Sequence, residues 1–284
     1  MWPQYFSTNY FLTQKVYELS QVQVAFDSIS SSSIDFDFPQ GGCQQRAQII
    51  SLILQKNYAI EHCKIWLFSP AALDENDFRT LFVEDKNKLS PENRVDWNYH
   101  TAPAILVKNG DKVETYIIDP AIDKTTPILL TKWFELMGNS GISKYTFSSA
   151  ESYFFNCKFN ADNELTNIFD GTFFDFMNPV KDNLMMEKGL AVNDMALAIY
   201  RKYLKPLIEN PISEDETKLT DLKEIFGNST ALDLLFSQNM SGYTDNTSHR
   251  YVISNYTDIF QEAKVIFNER LVFWTKFSND LLAL

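Results

Sequence analysis

Apolar and polar positions change period several times along this chain, and those changes set the expected architecture. From Phe11 to Phe26 the apolar residues (Phe11, Val16, Leu19, Val22, Val24, Phe26) keep no single period, which fits a strand or a short helix. Ser28 to Ser33 reads as a Ser-rich linker. After Gly41-Gly42-Cys43, the residues Ala47, Ile50, Ile53 and Leu54, with Ile49 beside them, form one stripe at helical spacing. That helix should stop near Asn57. Lys64 to Phe68 (KIWLF) reads as a buried strand, and the polar stretch from Asp74 to Asn98 as a loop with a short helix. AILVK, Asn109-Gly110 and KVETYIID then give a strong hairpin signal.

Beyond Pro120 come helical and irregular pieces around Trp133 to Met137. Residues 144 to 180 are rich in Phe and Asn, with turns expected at Asp170-Gly171 and Asn178-Pro179. From about Leu184 helical periodicity takes over in Met185–Ile208, Leu219–Phe226, Ala231–Phe236 and Tyr256–Leu284, broken by Pro206, Pro211, Gly227 and Gly242. The expected fold is α+β, with an α+β unit over residues 1–180 and a helical C-terminal region over 181–284.

Composition narrows the functions. The chain has 284 residues, 45% hydrophobic and 14% aromatic, enough apolar material for a sizeable core. Its net charge of -12 repels phosphate backbones and anionic lipid, so neither nucleic acid nor a membrane is an expected partner. A neutral or basic protein suits it better. Three cysteines (Cys43, Cys63, Cys157) are too few for a disulfide framework. The N-terminal residues show no cleavable leader and no apolar run is long enough to span a membrane, so a soluble, cytoplasmically made protein is expected. Four Asn-x-Ser/Thr tripeptides in the C-terminal region read as chance in an Asn-rich chain. No Cys-x-x-Cys or His-x-x-x-His spacing suggests a metal, and no glycine-rich phosphate loop suggests a nucleotide; no cofactor is expected.

The chemistry concentrates in three residues. Cys43 follows two glycines and opens a helix, where aligned peptide dipoles favour a thiolate. Free N–H groups of the first turn can hold an oxyanion beside the sulfur. A cysteine after two glycines, taken alone, is more often a small buried turn residue. The hairpin supplies the remaining groups. With Asn109 and Gly110 as the central turn residues, Lys108 faces Asp111 and His100 faces Asp119. Facing residues have Cβ atoms about 4.5–5.5 Å apart, close enough for the carboxylate to hold the imidazole. Pro103 adds an expected edge position or bulge near His100. His62 and His249 have no orienting carboxylate that the sequence can place.

The segments GGCQQRAQ, WNYHTAPAILVK (Trp97–Lys108) and YIIDPAI (Tyr116–Ile122) together resemble the bacterial protein-glutaminase family. The resemblance covers a motif core of residues 40–122 and makes residues 1–180 the catalytic domain. It implies a papain/transglutaminase-like core, with the nucleophile helix packed on an antiparallel sheet, and a Cys-His-Asp triad at Cys43, His100 and Asp119. It also implies a protein substrate carrying an accessible glutamine, whose side-chain amide is hydrolysed to glutamate with release of ammonia. Trp66, Trp97 and Tyr99 are candidate cleft walls, and Gln40 or Gln44 candidate oxyanion partners. The extra helical region and the missing leader suit a bacterial effector acting on a host protein. The same triad would also serve a transglutaminase or a thiol protease or isopeptidase, and a non-catalytic interaction protein on a hydrolase core stays open.

Overall fold

The structure is a computed structural model; it describes residues 14–74, 76–159, 165–173, 176, 184–237 and 247–284. Strand β1 (Val16–Glu18) leads into helix α1 (Leu19–Ser30), followed by α2 (Cys43–Tyr58), β2 (Cys63–Phe68) and the short α3 (Pro70–Leu73). Next come β3 (Leu81–Glu84), β4 (Arg94–Trp97), β5 (Tyr99–Asn109), β6 (Lys112–Ile117), β7 (Ile128–Leu129) and α4 (Leu130–Glu135). Strands β8 (Lys144–Ser149), β9 (Ser152–Phe159) and β10 (Leu165–Phe173) precede the C-terminal helices. These are α5 (Met185–Ile199), a π-helical stretch Tyr200–Leu204, α6 (Lys205–Glu209), α7 (Glu216–Phe226), α8 (Ser229–Leu232), α9 (Thr247–Asn255) and α10 (Thr257–Leu282).

The main sheet runs β7-β6-β5-β2-β8 with antiparallel neighbours, and β1 adds to β5 in parallel. β5 is the axis of the sheet. Its first half pairs with β2, while the second half pairs with β1 on one side and β6 on the other. Every residue of β2 is buried, as a central strand covered on both faces requires. One apolar cluster takes Ile105 and Val107 of β5 together with α1, α2, α5 and α10. A second joins Ala102, Ala104 and Ile65 to Trp133 and Phe134 of α4. The fold is thus a mixed α+β structure with a mainly antiparallel sheet and a helical C-terminal part.

Local readings hold or fail for physical reasons. The α2 helix ends at Tyr58, where Ala59 turns left-handed (φ 50°). The Ser-rich stretch is not all linker, because α1 runs to Ser30 and buries Val22, Ala25, Phe26 and Ile29 at helical spacing. The stretch 74–98 holds more than a loop: β3 and β4 pair with each other, Leu81 against Trp97, as a small sheet of their own. Charged residues on its open face (Glu84, Arg94, Asp96) hid the strand pattern. Asp170 and Gly171 lie inside β10 at a register shift against β9 rather than in a turn. Asn178-Pro179 and Gly242 lie outside the described residues.

Candidate active site

The hairpin forms one position later than the turn chemistry suggests. Asn109 pairs with Lys112, so Gly110 and Asp111 are the central residues. Gly110 has φ 61° and Asp111 is not left-handed, the φ signs of a type II′ turn. Lys108 therefore faces Val113 instead of Asp111, and the register moves by two residues. A two-residue shift keeps each side chain on its face, because the side-chain period of a strand is two. His100 and Asp119 consequently stay on one side. They meet diagonally, and Asp119 reaches across from just beyond the last residue of β6.

Pro103 helps to make that possible. Its carbonyl accepts from the Ile118 N–H at 2.9 Å, one step past the last β6 pair, Ala104 with Ile117. Its missing N–H would point to the same side, where β6 is leaving the sheet, so pairing with β2 on the other side is untouched. β5 is central overall and open only along this short stretch. Into that gap the chain returns as a turn, with the Asp119 carbonyl accepting from the N–H groups of Ile122 and Asp123.

His100 Nε2 lies 2.7 Å from Asp119 Oδ2, and both residues are buried. The Trp133 indole N–H donates to the same carboxylate oxygen at 2.8 Å. Two tryptophans stack on the imidazole: Trp97 at 4.6 Å between centroids, 11° from parallel, and Trp133 at 5.5 Å and 25°. The Trp97 indole N–H donates to the Pro39 carbonyl at 2.9 Å, which ties this wall to the loop before Cys43. The ring is thereby fixed in plane and tilt, and among the described residues only Cys43 approaches it as a further side-chain partner.

Cys43 is the first residue of α2 and is half-buried. Gly42 before it is left-handed at φ 83°, a conformation that suits glycine. The thiol donates to Gln44 Oε1 at 3.4 Å. Cys43, Arg46, His100 and Asp119 line one small cavity, so the sulfur, the ring and the carboxylate converge. Burial pushes the His100 imidazole down, but the Asp119 charge and hydrogen bond, together with the hydrogen bond and charge of Cys43, reverse this and hold it at about 9. Burial pushes Asp119 up; the His100 charge and the bonds from His100 and Trp133, helped by Arg46, bring it below the ordinary carboxylate value. Arg46 is buried, and burial pulls it below the usual arginine value while the charges of Cys43 and Asp119 pull the other way. An arginine stays charged at neutral pH, so a fixed cation stands near both anionic positions.

Above the sulfur opens a cleft of 740 Å³. One wall comes from Phe38–Arg46, Asp96–Tyr99, Tyr153 and Phe154, the other from α5 and α8 residues including Lys188, Asn193 and Thr230. Trp97, Tyr99, Gln40 and Gln44 all line it. Trp66 does not: it is 1% exposed, donates to Ser148 Oγ and packs with Phe68 and Tyr99 inside the sheet. Gln40 directs its Nε2 to the buried Asp85 carboxylate at 2.8 Å, a structural bond that withdraws this donor from the sulfur. Of the other histidines, burial drives His62 down to about 4, and His249 does find a carboxylate, Glu224 at 3.5 Å; neither lines the cleft. Trp133 and the α5 and α8 wall carry no local sequence signal, since only the fold brings them to Cys43.

A mixed α+β fold thus carries a Cys-His-Asp constellation at the mouth of a helix, beneath an open cleft. The family model described as Glutaminase matches residues 14–137, less than half of the chain and a segment that includes all three residues. Solved structures that the chain resembles include the NMR structure of protein-glutaminase from Chryseobacterium proteolyticum, 20% identical, covering 61% of this chain and 87% of that one, with a TM-score of 0.41. A crystal structure of pro-protein-glutaminase is also 20% identical, over 66% of this chain and 62% of that one, with a TM-score of 0.44. No curated protein matches the chain.

Proposed function

We propose that this protein deamidates glutamine side chains of other proteins, using Cys43 as nucleophile, His100 as general base and acid, and Asp119 as the group that orients the ring. One observation carries the reading: a buried imidazole bonded to Asp119 at 2.7 Å shares a cavity with a cysteine that opens a helix. The glutaminase-family match over the same residues favours an amide of glutamine as the bond attacked.

His100 takes the thiol proton, and the sulfur attacks the carboxamide carbon while the carbonyl electron pair moves to oxygen. The first-turn N–H groups of α2 face this oxyanion. As the tetrahedral species collapses, His100 gives its proton to the departing nitrogen; ammonia leaves and a thioester remains. Water then attacks the thioester, His100 accepts its proton, and the thiolate leaves a glutamate behind. Trp97 and Tyr99 flank the aliphatic part of the side chain. A papain/transglutaminase-like core is the structural counterpart of this chemistry, and the net charge of -12 suits a neutral or basic protein target.

The test is a protein lysate incubated with wild type or Cys43→Ala, followed by ammonia measurement and mass spectrometry for glutamine-to-glutamate conversion. Ammonia and conversion with wild type alone are expected. Peptide cleavage without ammonia would replace deamidation by proteolysis. Ammonia accompanied by amine incorporation would make the acceptor an amine instead of water.

A further inference from the structure

The N-terminus of α2 offers backbone donors to an oxyanion, but a single peptide N–H beside a nucleophile is usually joined by a second donor. Gln40 and Gln44, the two candidate oxyanion partners, do not fill that place well. Gln40 Nε2 is held by Asp85, and Gln44 presents its oxygen to the thiol. A third amide does. Asn193 sits on α5, in the helical C-terminal part, and is 4% exposed. It lines the cleft and lies against Gly42, one residue before the nucleophile: a Cβ built on Gly42 would come within 1.8 Å of Asn193 Nδ2. Among the described residues this Nδ2 has no hydrogen-bond partner.

A buried amide donor left unpaired costs about 1–3 kcal/mol, so its retention calls for a use outside the resting fold. Its neighbour Asp194 holds α5 in place, accepting from Arg270 Nε at 2.6 Å and from the Trp274 indole at 2.7 Å, both on α10. Glu187, one helical face away, accepts from Ser278 of the same helix. The donor therefore stands on a braced element, as electrostatic preorganisation requires.

We propose that Asn193 is a catalytic residue that donates its side-chain N–H to the oxyanion formed when Cys43 attacks a carbonyl. This rests on Cys43 being the nucleophile, and it gives the C-terminal helices a part in the chemistry itself.

Three rates on purified full-length protein separate the possibilities. Alkylation of Cys43 by iodoacetamide passes through no oxyanion. Acylation by p-nitrophenyl acetate does, whatever the natural substrate. Ammonia release from casein reports glutamine turnover. In Asn193→Leu, which keeps the volume and drops the donor, acylation and ammonia release should both fall about 100-fold or more, with alkylation within twofold of wild type. Asn193→Ala should behave alike if the leucine variant misfolds. Unchanged acylation would overturn the proposal. An equal fall in alkylation would also overturn it, since Asn193 would then merely support the loop. Wild type that acylates yet releases no ammonia would sink glutamine deamidation while leaving Asn193 to be decided by the acylation rate.

Discussion

Replacing Asp119 by asparagine should reverse the protonation behaviour of His100 while leaving the shape of the site intact. Two opposing effects act on the buried ring. Burial alone favours the neutral imidazole; Asp119, with help from Cys43, overcomes it and lifts the value from 6.5 to about 9. At about 1.4 kcal/mol per pH unit, that rise favours the imidazolium in the fold by about 3 kcal/mol. Because the raised value exceeds the unfolded one, this stabilisation is fully present below pH 6.5 and is lost as pH rises through about 9. In Asp119→Asn burial dominates and the value drops below 6.5. The unfolded chain then binds the extra proton, so stability is lost as pH falls through 6.5. The pH dependence changes sign.

The chain has only three histidines, and burial holds His62 at about 4, so the ring of His100 can be followed by NMR titration without crowding. Urea unfolding at pH 6 and pH 9.5 would report the stability change. Turnover should fall by about 10⁴, the loss expected when a triad imidazole loses its orienting carboxylate. A His100 midpoint that stays near 9 in the variant would refute the electrostatic account. So would a wild-type protein whose stability does not decline between those two pH values.

Trp133→Phe keeps a ring against His100 but removes the donor to Asp119. With one stabilising bond fewer, the carboxylate should titrate higher, and the acid limb of the activity profile should move up in pH with turnover about tenfold lower. Gly42→Ala forces an alanine into a left-handed position at about 1–2 kcal/mol and drives its Cβ into the Asn193 amide. It should abolish turnover and lower the melting temperature; an active, normally stable variant would refute the close contact between Gly42 and Asn193. Arg270→Met leaves Asp194 buried without its ion pair. Urea unfolding should show a loss of about 3 kcal/mol, with turnover falling as α5 loosens.

Several parts of the molecule were legible from local pattern. The apolar stripe of α2, the wholly buried and mostly apolar β2 and the hairpin of β5 and β6 follow from periodicity and turn chemistry, which act between neighbours in the chain. His100 and Asp119 could be placed on one face for the same reason, whereas Cys43 was joined to them only by the family resemblance. The register was wrong by two residues and the face was still right, because side chains repeat every second position. Gly110 took the first turn position in place of the second, a choice between turn types of similar energy that pairing across the whole hairpin decides. β3 and β4 were missed because a small, charged two-stranded sheet carries too few apolar positions to show a period.

The tertiary structure alone decided what surrounds the three residues. Trp133 reaches Asp119 because α4 folds back over the second face of the sheet, and Asn193 reaches Gly42 because α10 clamps α5 against α2. Neither contact has a sequence spacing that predicts it. Trp66, expected in the cleft, lies in the sheet interior because both faces of its strand are covered. Local periodicity fixes which way a side chain points relative to its own strand or helix. Long-range packing, which depends on how whole apolar faces cover one another, fixes what it meets there.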